Sequence, residues 1–215
     1  MAEKRQVQTN HSSQFRSLKS EAQSQPLIKN IHGESLSAAT VKDWQTLIAR
    51  SNMSYNHAIK QEAQYVQALG QGATEDCFHA TYMGVLTEWF PTSRGYIIDH
   101  QGFYEGGQLE YMVVRHAAQK NTVLVVELKQ PSKFSDAGKW EVMMDLTEYI
   151  EGRFDLTQYN TIYGLGGIGL NWMVCKMMRT GPSIPTVVQT WTADITSDDS
   201  YAAFGHIANF VYNIS

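Results

Sequence analysis

The sequence predicts an α/β fold: a central mixed β-sheet flanked by helices. Three observations lead there. Apolar residues recur at helical spacing up to about residue 90, and the pattern then switches to period two for three successive runs. A helical stretch over about 139–152 is followed by further strand-like runs and a last helix. Helical and extended segments that alternate in this way bury their apolar faces by layering helices on a sheet.

Residues 1–35 are rich in Ser, Gln, Asn and Lys and poor in large apolar groups. Such a segment buries too little to offset its chain entropy, so a flexible arm is expected there, with residues 36–215 forming a single domain. From Ser37 to about Ser51, Val41, Trp44, Leu47 and Ile48 mark one face of a helix. Ser54 is the expected N-cap of a second helix running to Leu69, broken by Gly70-Gln-Gly72. A third helix covers about Thr74 to Trp89, with Phe78, Tyr82, Val85 and Leu86 inward and Pro91 beyond its end.

The extended runs Gly95–Phe103 and Leu109–His116 flank Tyr104-Glu-Gly-Gly107, a hairpin signal. Thr122–Gln130 is the third strand. Lys139 to about Gly152 reads as a helix with Trp140, Met143, Leu146 and Ile150 on its apolar face. Thr161–Leu165 and Leu170–Met178 are expected to be strands around a glycine-rich turn, followed by a strand over Pro185–Ile195 and a helix over Ser200–Asn213.

The third strand carries the chemistry. In Thr122-Val-Leu-Val-Val-Glu127-Leu-Lys129-Gln130, an apolar run meets a Glu-x-Lys pair. The run is too short to span a membrane and too apolar for an exposed loop, so it reads as a buried central strand. Residues two apart on a strand share a face, so Glu127 and Lys129 point the same way. A charge left unpaired there costs several kcal/mol, on the order of what a buried ion loses in solvation. The pair therefore needs a partner, a metal or a function.

Composition removes several classes. Seventeen Lys and Arg against 21 Asp and Glu give a net charge of −4, so any nucleic-acid contact must come from a local patch. Lys4, Arg5, Arg16, Lys19 and Lys29 on the arm read as a solubilising tail. Cys77 and Cys175 form no C-x-x-C and are expected to be reduced thiols of an intracellular protein, in cytoplasm or nucleus. No apolar segment follows Met-Ala-Glu-Lys-Arg-Gln and no window reaches membrane-span length, so neither a secretory signal nor a membrane partner is expected. The seven His show no H-E-x-x-H spacing and no zinc pattern, although His100 and His116 fall near the pair in the predicted layout. Gly164-Leu-Gly166-Gly-Ile-Gly169 spells G-x-G-x-x-G, but only 46 residues follow and those next to it read as strand, so a turn is expected instead of a dinucleotide loop. No G-x-S-x-G elbow or Walker loop is present.

The element order and the placement of Val126-Glu127-Leu-Lys129 resemble the PD-(D/E)XK, or restriction-endonuclease-like, nuclease superfamily over roughly residues 55–179. Tyr163-Gly-Leu-Gly-Gly-Ile-Gly-Leu-Asn-Trp172 is similar to the hairpin that closes the sheet in such enzymes. The resemblance implies a restriction-endonuclease-like core with extra N-terminal helices, and metal-dependent hydrolysis of DNA or RNA phosphodiesters with Mg²⁺ or Mn²⁺ as cofactor. It implies Glu127 and a second-strand acid as metal ligands, the carbonyl of Leu128 as a further ligand, and Lys129 orienting the attacking water. The second-strand acid departs from the family pattern, since no Pro-Asp dipeptide occurs in place. Glu110, 17 residues before Glu127, and Asp99, inside Tyr96-Ile-Ile-Asp99, are both candidates. In the following helix, Asp145-Leu-Thr-Glu-Tyr149 has Asp where relatives of the RecB type carry Gln. Glu62 and Glu88 are candidates for an acid from the first core helix. These departures equally suit a catalytically inactive nuclease-fold protein, an effector or binding module for protein or nucleic acid. A homodimer is compatible with either reading.

Overall fold

The structure is a computed structural model and describes residues 54–103 and 109–214. Four helices, α1 (His57–Ala68), α2 (Asp76–Trp89), α3 (Asp136–Phe154) and α4 (Asp198–Tyr212), accompany six strands among the described residues. The strands are β1 (Tyr96–Phe103), β2 (Leu109–His116), β3 (Thr122–Lys129), β4 (Thr161–Ile168), β5 (Asn171–Met178) and β6 (Thr186–Thr192). They lie in sequential order in one sheet. Only β3 and β4 run parallel, and α3 supplies the crossover that a parallel pair requires. The other neighbours are antiparallel, so the sheet is mixed and the fold is α/β, as the sequence predicts.

Each face of the sheet has its own core. Leu124, Val126 and Leu128 of β3 point into a large core with Tyr82, Leu86 and Phe90 of α2 and Phe204 and Ile207 of α4. Val125 points the other way, into a smaller core built by Val142, Leu146 and Ile150 of α3 with Ile162, Met173 and Cys175. Alternation along β3 therefore hands Glu127 to the α3 face. Every residue of β3 except Lys129 is buried, which is the environment its apolar run demands.

Three local expectations change. The N-cap of α1 is Asn56, not Ser54: its Oδ1 accepts from the Ile59 amide at 3.1 Å. Helix α3 starts earlier than expected, because Ser135 Oγ accepts from the Gly138 amide at 3.2 Å and caps the helix at Asp136. The glycine run is not a turn. Gly164, Gly166 and Gly167 lie within β4, and only Gly169-Leu170 turns. A Cβ on Gly166 would stand 2.5 Å from Val142 Cγ1, and one on Gly167 would stand 2.5 Å from Tyr82 Oη. The glycines are there because helices press on both sides of the strand. Tyr82 Oη donates to the Gly169 and Asn171 carbonyls at 3.1 and 3.2 Å, tying the β4–β5 turn to α2.

The N-terminal arm, the helix expected over 37–51 and the hairpin loop Tyr104–Gly107 lie outside the described residues. Among the described residues no helix is long and apolar enough to cross a membrane.

Candidate functional site

The end of β3 meets the middle of α3 over a single ammonium. Lys129 Nζ lies 2.6 Å from Glu127 Oε1 and 2.9 Å from Asp145 Oδ2. Sequence puts Glu127 and Lys129 on one face of the strand, and Gly166, paired with Glu127 in the parallel register, lets α3 close down so that Asp145 reaches the same ammonium. Glu127 is 1% exposed, whereas the side chains of Lys129 and Asp145 keep 19% and 29% of their surface. The cluster thus opens to solvent on the Lys129 and Asp145 side and ends inward on Glu127.

Glu127 Oε2 is buried with no hydrogen-bond partner. Burial pushes the Glu127 carboxyl up to about 8 against the pull of Lys129 beside it, with Asp145 and Glu75 adding repulsion. Burial draws the Lys129 ammonium down, but the hydrogen bonds and charges of Glu127 and Asp145 outweigh it and hold it above its ordinary value. A fourth charge belongs to the neighbourhood. Glu75, at the start of α2, is pushed up to about 7 by burial, opposed by Lys129 and reinforced by Asp76, Asp145 and Glu141.

The structure separates the remaining candidates. Asp99 is ion-paired with Arg115 on the adjacent strand. It sits in the register row of Val113 and Val125, one pleat short of Glu127 and two strands away, about 10 Å across the sheet. Glu110 lies on β2, with its side chain outside the described residues, as is that of His100. Leu128 sends its side chain into the larger core and is register partner of Gly167. His116 stands at the far end of the sheet, edge-on to Tyr96 at 5.8 Å, and Tyr149 flanks the smaller core. Glu88 is exposed on α2.

Two residues acquire roles that the sequence did not assign. Asp145 is visible in the sequence as a departure from a resembled pattern, but only the fold shows that the position faces Lys129. Glu75 carries no signal of its own. It follows the Gly70-Gln-Gly72 break, and nothing in the residue pattern says that this break sits beside the end of β3.

Among the described residues no group of three or more metal-ligating side chains comes together. The donors that do converge are carboxylates, Glu127 and Asp145, with an orphaned buried oxygen on the first. Hard oxygen donors suit Mg²⁺ or Mn²⁺, and Mg²⁺ is commonly held by one or two carboxylates with water completing its shell.

No protein-family model and no curated protein matches the chain. Among solved structures it is similar to the type IIG restriction endonuclease BpuSI, with a TM-score of 0.41 and 15% identity, over 60% of this chain and 16% of that one. The chain thus spans less than a fifth of that neighbour's length, and the functional case rests on this chain's own residues.

Proposed function

We propose that the protein is a metal-dependent phosphodiesterase of nucleic acids, with Glu127, Lys129 and Asp145 at its centre. The observation that carries the reading is the buried Glu127 carboxylate with one oxygen on Lys129 and the other without a partner. A buried polar atom left unmatched costs about 1–3 kcal/mol, so its retention calls for a ligand that completes it. Glu127 and Asp145, with Glu110 of β2 as the further acid, would hold Mg²⁺ or Mn²⁺; Asp99 is left to its ion pair with Arg115. The cation, when bound, supplies Lewis-acid stabilisation of charge on the phosphoryl oxygens and acidifies water.

The chain's own groups supply the rest. Lys129 offsets the phosphate charge and orients the attacking water. Glu75, poised at about 7, is suited to take that water's proton at neutral pH. As the water oxygen bonds to phosphorus, the P–O bond to the leaving nucleoside oxygen breaks and that oxygen takes up a proton from solvent. Asp145 acts on the reaction through Lys129, which it holds at the strand end.

A specific observation favours a second reading, a binding module without catalysis. Lys129 is already engaged by the carboxyl groups of Glu127 and Asp145, and Asp99 is committed to Arg115. One experiment divides the two. The purified protein is incubated with DNA and with RNA in Mg²⁺ or Mn²⁺, alongside Glu127→Ala and Lys129→Ala. The hydrolase reading expects cleavage by the parent and a loss of about a hundredfold or more in both variants. Absence of cleavage on every substrate, or equal cleavage by the variants, establishes the binding module instead.

A further inference from the structure

We propose, resting on the metal-dependent reading above, that Lys129 and the divalent cation exchange places: the ammonium stands where the cation binds, and cation binding releases Lys129 to the mouth of the site. Lys129 Nζ lies 2.6 Å from Glu127 Oε1 and 2.9 Å from Asp145 Oδ2. A cation that bridges these two oxygens at about 2.0–2.1 Å, the Mg²⁺–oxygen distance, has to lie between them. Glu127 is 1% exposed and the cluster opens to solvent on the side of Lys129 and Asp145, so an entering cation meets the ammonium there. The two positive groups exclude one another by contact and by charge.

The unmatched oxygen gives the exchange its direction. The ammonium serves Glu127 through Oε1 and leaves Oε2 of the same carboxyl group buried without a partner. A lysine ammonium carries donors only along its own three N–H bonds and brings no further group with it. A bound Mg²⁺ keeps several of its waters. It can take Oε1 and present a coordinated water to Oε2, which completes the oxygen that Lys129 leaves orphaned.

The lysine has somewhere to go. Its side chain keeps 19% of its surface, and its four-carbon stem is flexible. Released from both carboxyl groups, the ammonium has its donors free at the solvent side, where a phosphate oxygen accepts them. Glu127 and Asp145 therefore serve the two cations in turn, and loading of the divalent cation precedes the contact between Lys129 and substrate.

The test follows Mn²⁺ and Lys129 separately in the full chain, in mildly alkaline buffer. Free Mn²⁺ is counted by electron paramagnetic resonance, and acetylation of each lysine by an N-hydroxysuccinimide ester is quantified by mass spectrometry. In the parent, Mn²⁺ should raise the acetylation rate of Lys129 severalfold and leave that of Lys176 on β5 unchanged. Lys129→Met should bind Mn²⁺ about tenfold or more tighter than the parent, and Glu127→Gln should bind it more weakly by a similar factor. Mn²⁺ that binds the parent while acetylation of Lys129 stays constant or slows overturns the exchange and leaves the hydrolase reading standing. A folded Lys129→Met that binds no tighter does the same. Binding by Lys129→Met alone means that the ammonium is not displaced, which also overturns the exchange. Binding by neither protein overturns the exchange and the hydrolase reading together. The labelling arm needs no variant, so it decides the exchange even where Lys129→Met fails to fold.

Discussion

At the scale of single residues, the unusual feature is a carboxylate placed where a carboxylate is expensive. Glu127 ends an apolar strand, faces a helix and keeps one oxygen unmatched. Its proton binding has a consequence for stability. The folded chain holds that proton up to about 8, while the unfolded chain releases it near the ordinary carboxylate value, about 4.3. Between those limits the folded state binds more protons, so stability falls as pH rises through the window and levels off above it. Thermal melts should therefore show a midpoint that declines from about pH 5 to pH 8. Glu127→Gln should remove most of that decline, and Glu75→Gln should remove the part that ends at about 7. A midpoint that rises with pH over this range contradicts the assignment of both groups. Lys129 adds no slope in this window, since its ammonium is held above its ordinary value and stays charged in both the folded and the unfolded chain. The Glu-x-Lys pair was legible in the sequence because a strand's period of two puts its members on one face. Glu75 was not, because its approach to Lys129 runs through contacts between segments far apart in the chain.

At the scale of elements, the site depends on how closely α3 lies on β4. The distance is set by an absence of side chain. Val142 occupies the space that a Cβ on Gly166 would need, and Gly166 is the register partner of Glu127. Gly166→Ala should cost about 1–3 kcal/mol as an overpacked substitution. It should also displace Asp145 from Lys129 by moving the helix. Urea unfolding measures the first effect, and a reduced pH dependence of the melt reports the second. A variant as stable as the parent would show that the helix can shift freely there. The same close packing explains why a glycine-rich segment that reads as a turn is a strand. Sequence shows that side chains are missing but not which neighbours fill the space. Caps are more local and more legible. Ser135 stands immediately before a helix that opens on Asp136, and the period-3.6 signal of α3 fails to reach it only because Asp136 and Gly138 carry no apolar weight.

At the scale of the whole molecule, one sheet separates two cores of unequal size. Among the described residues three helices cover one face and α3 alone covers the other, so the site's helix is held there by the smaller of the two cores. Leu146 is fully buried in that smaller core, and Leu146→Ala should destabilise by about 2–5 kcal/mol in urea or thermal unfolding. A loss well under 1 kcal/mol would mean that α3 is not anchored there. The sequence by itself determined the alternation of helix and strand, the buried character of β3 and the shared face of Glu127 and Lys129. All three follow from periodicity, which is written in consecutive residues. Only the tertiary structure decided that Asp145 completes the ammonium's coordination and that Asp99 is given to Arg115. It alone showed that Glu75 borders the same cluster. Those outcomes depend on strand order, register and the spacing between helix and sheet, which are set by many distant contacts together and leave no local pattern to read.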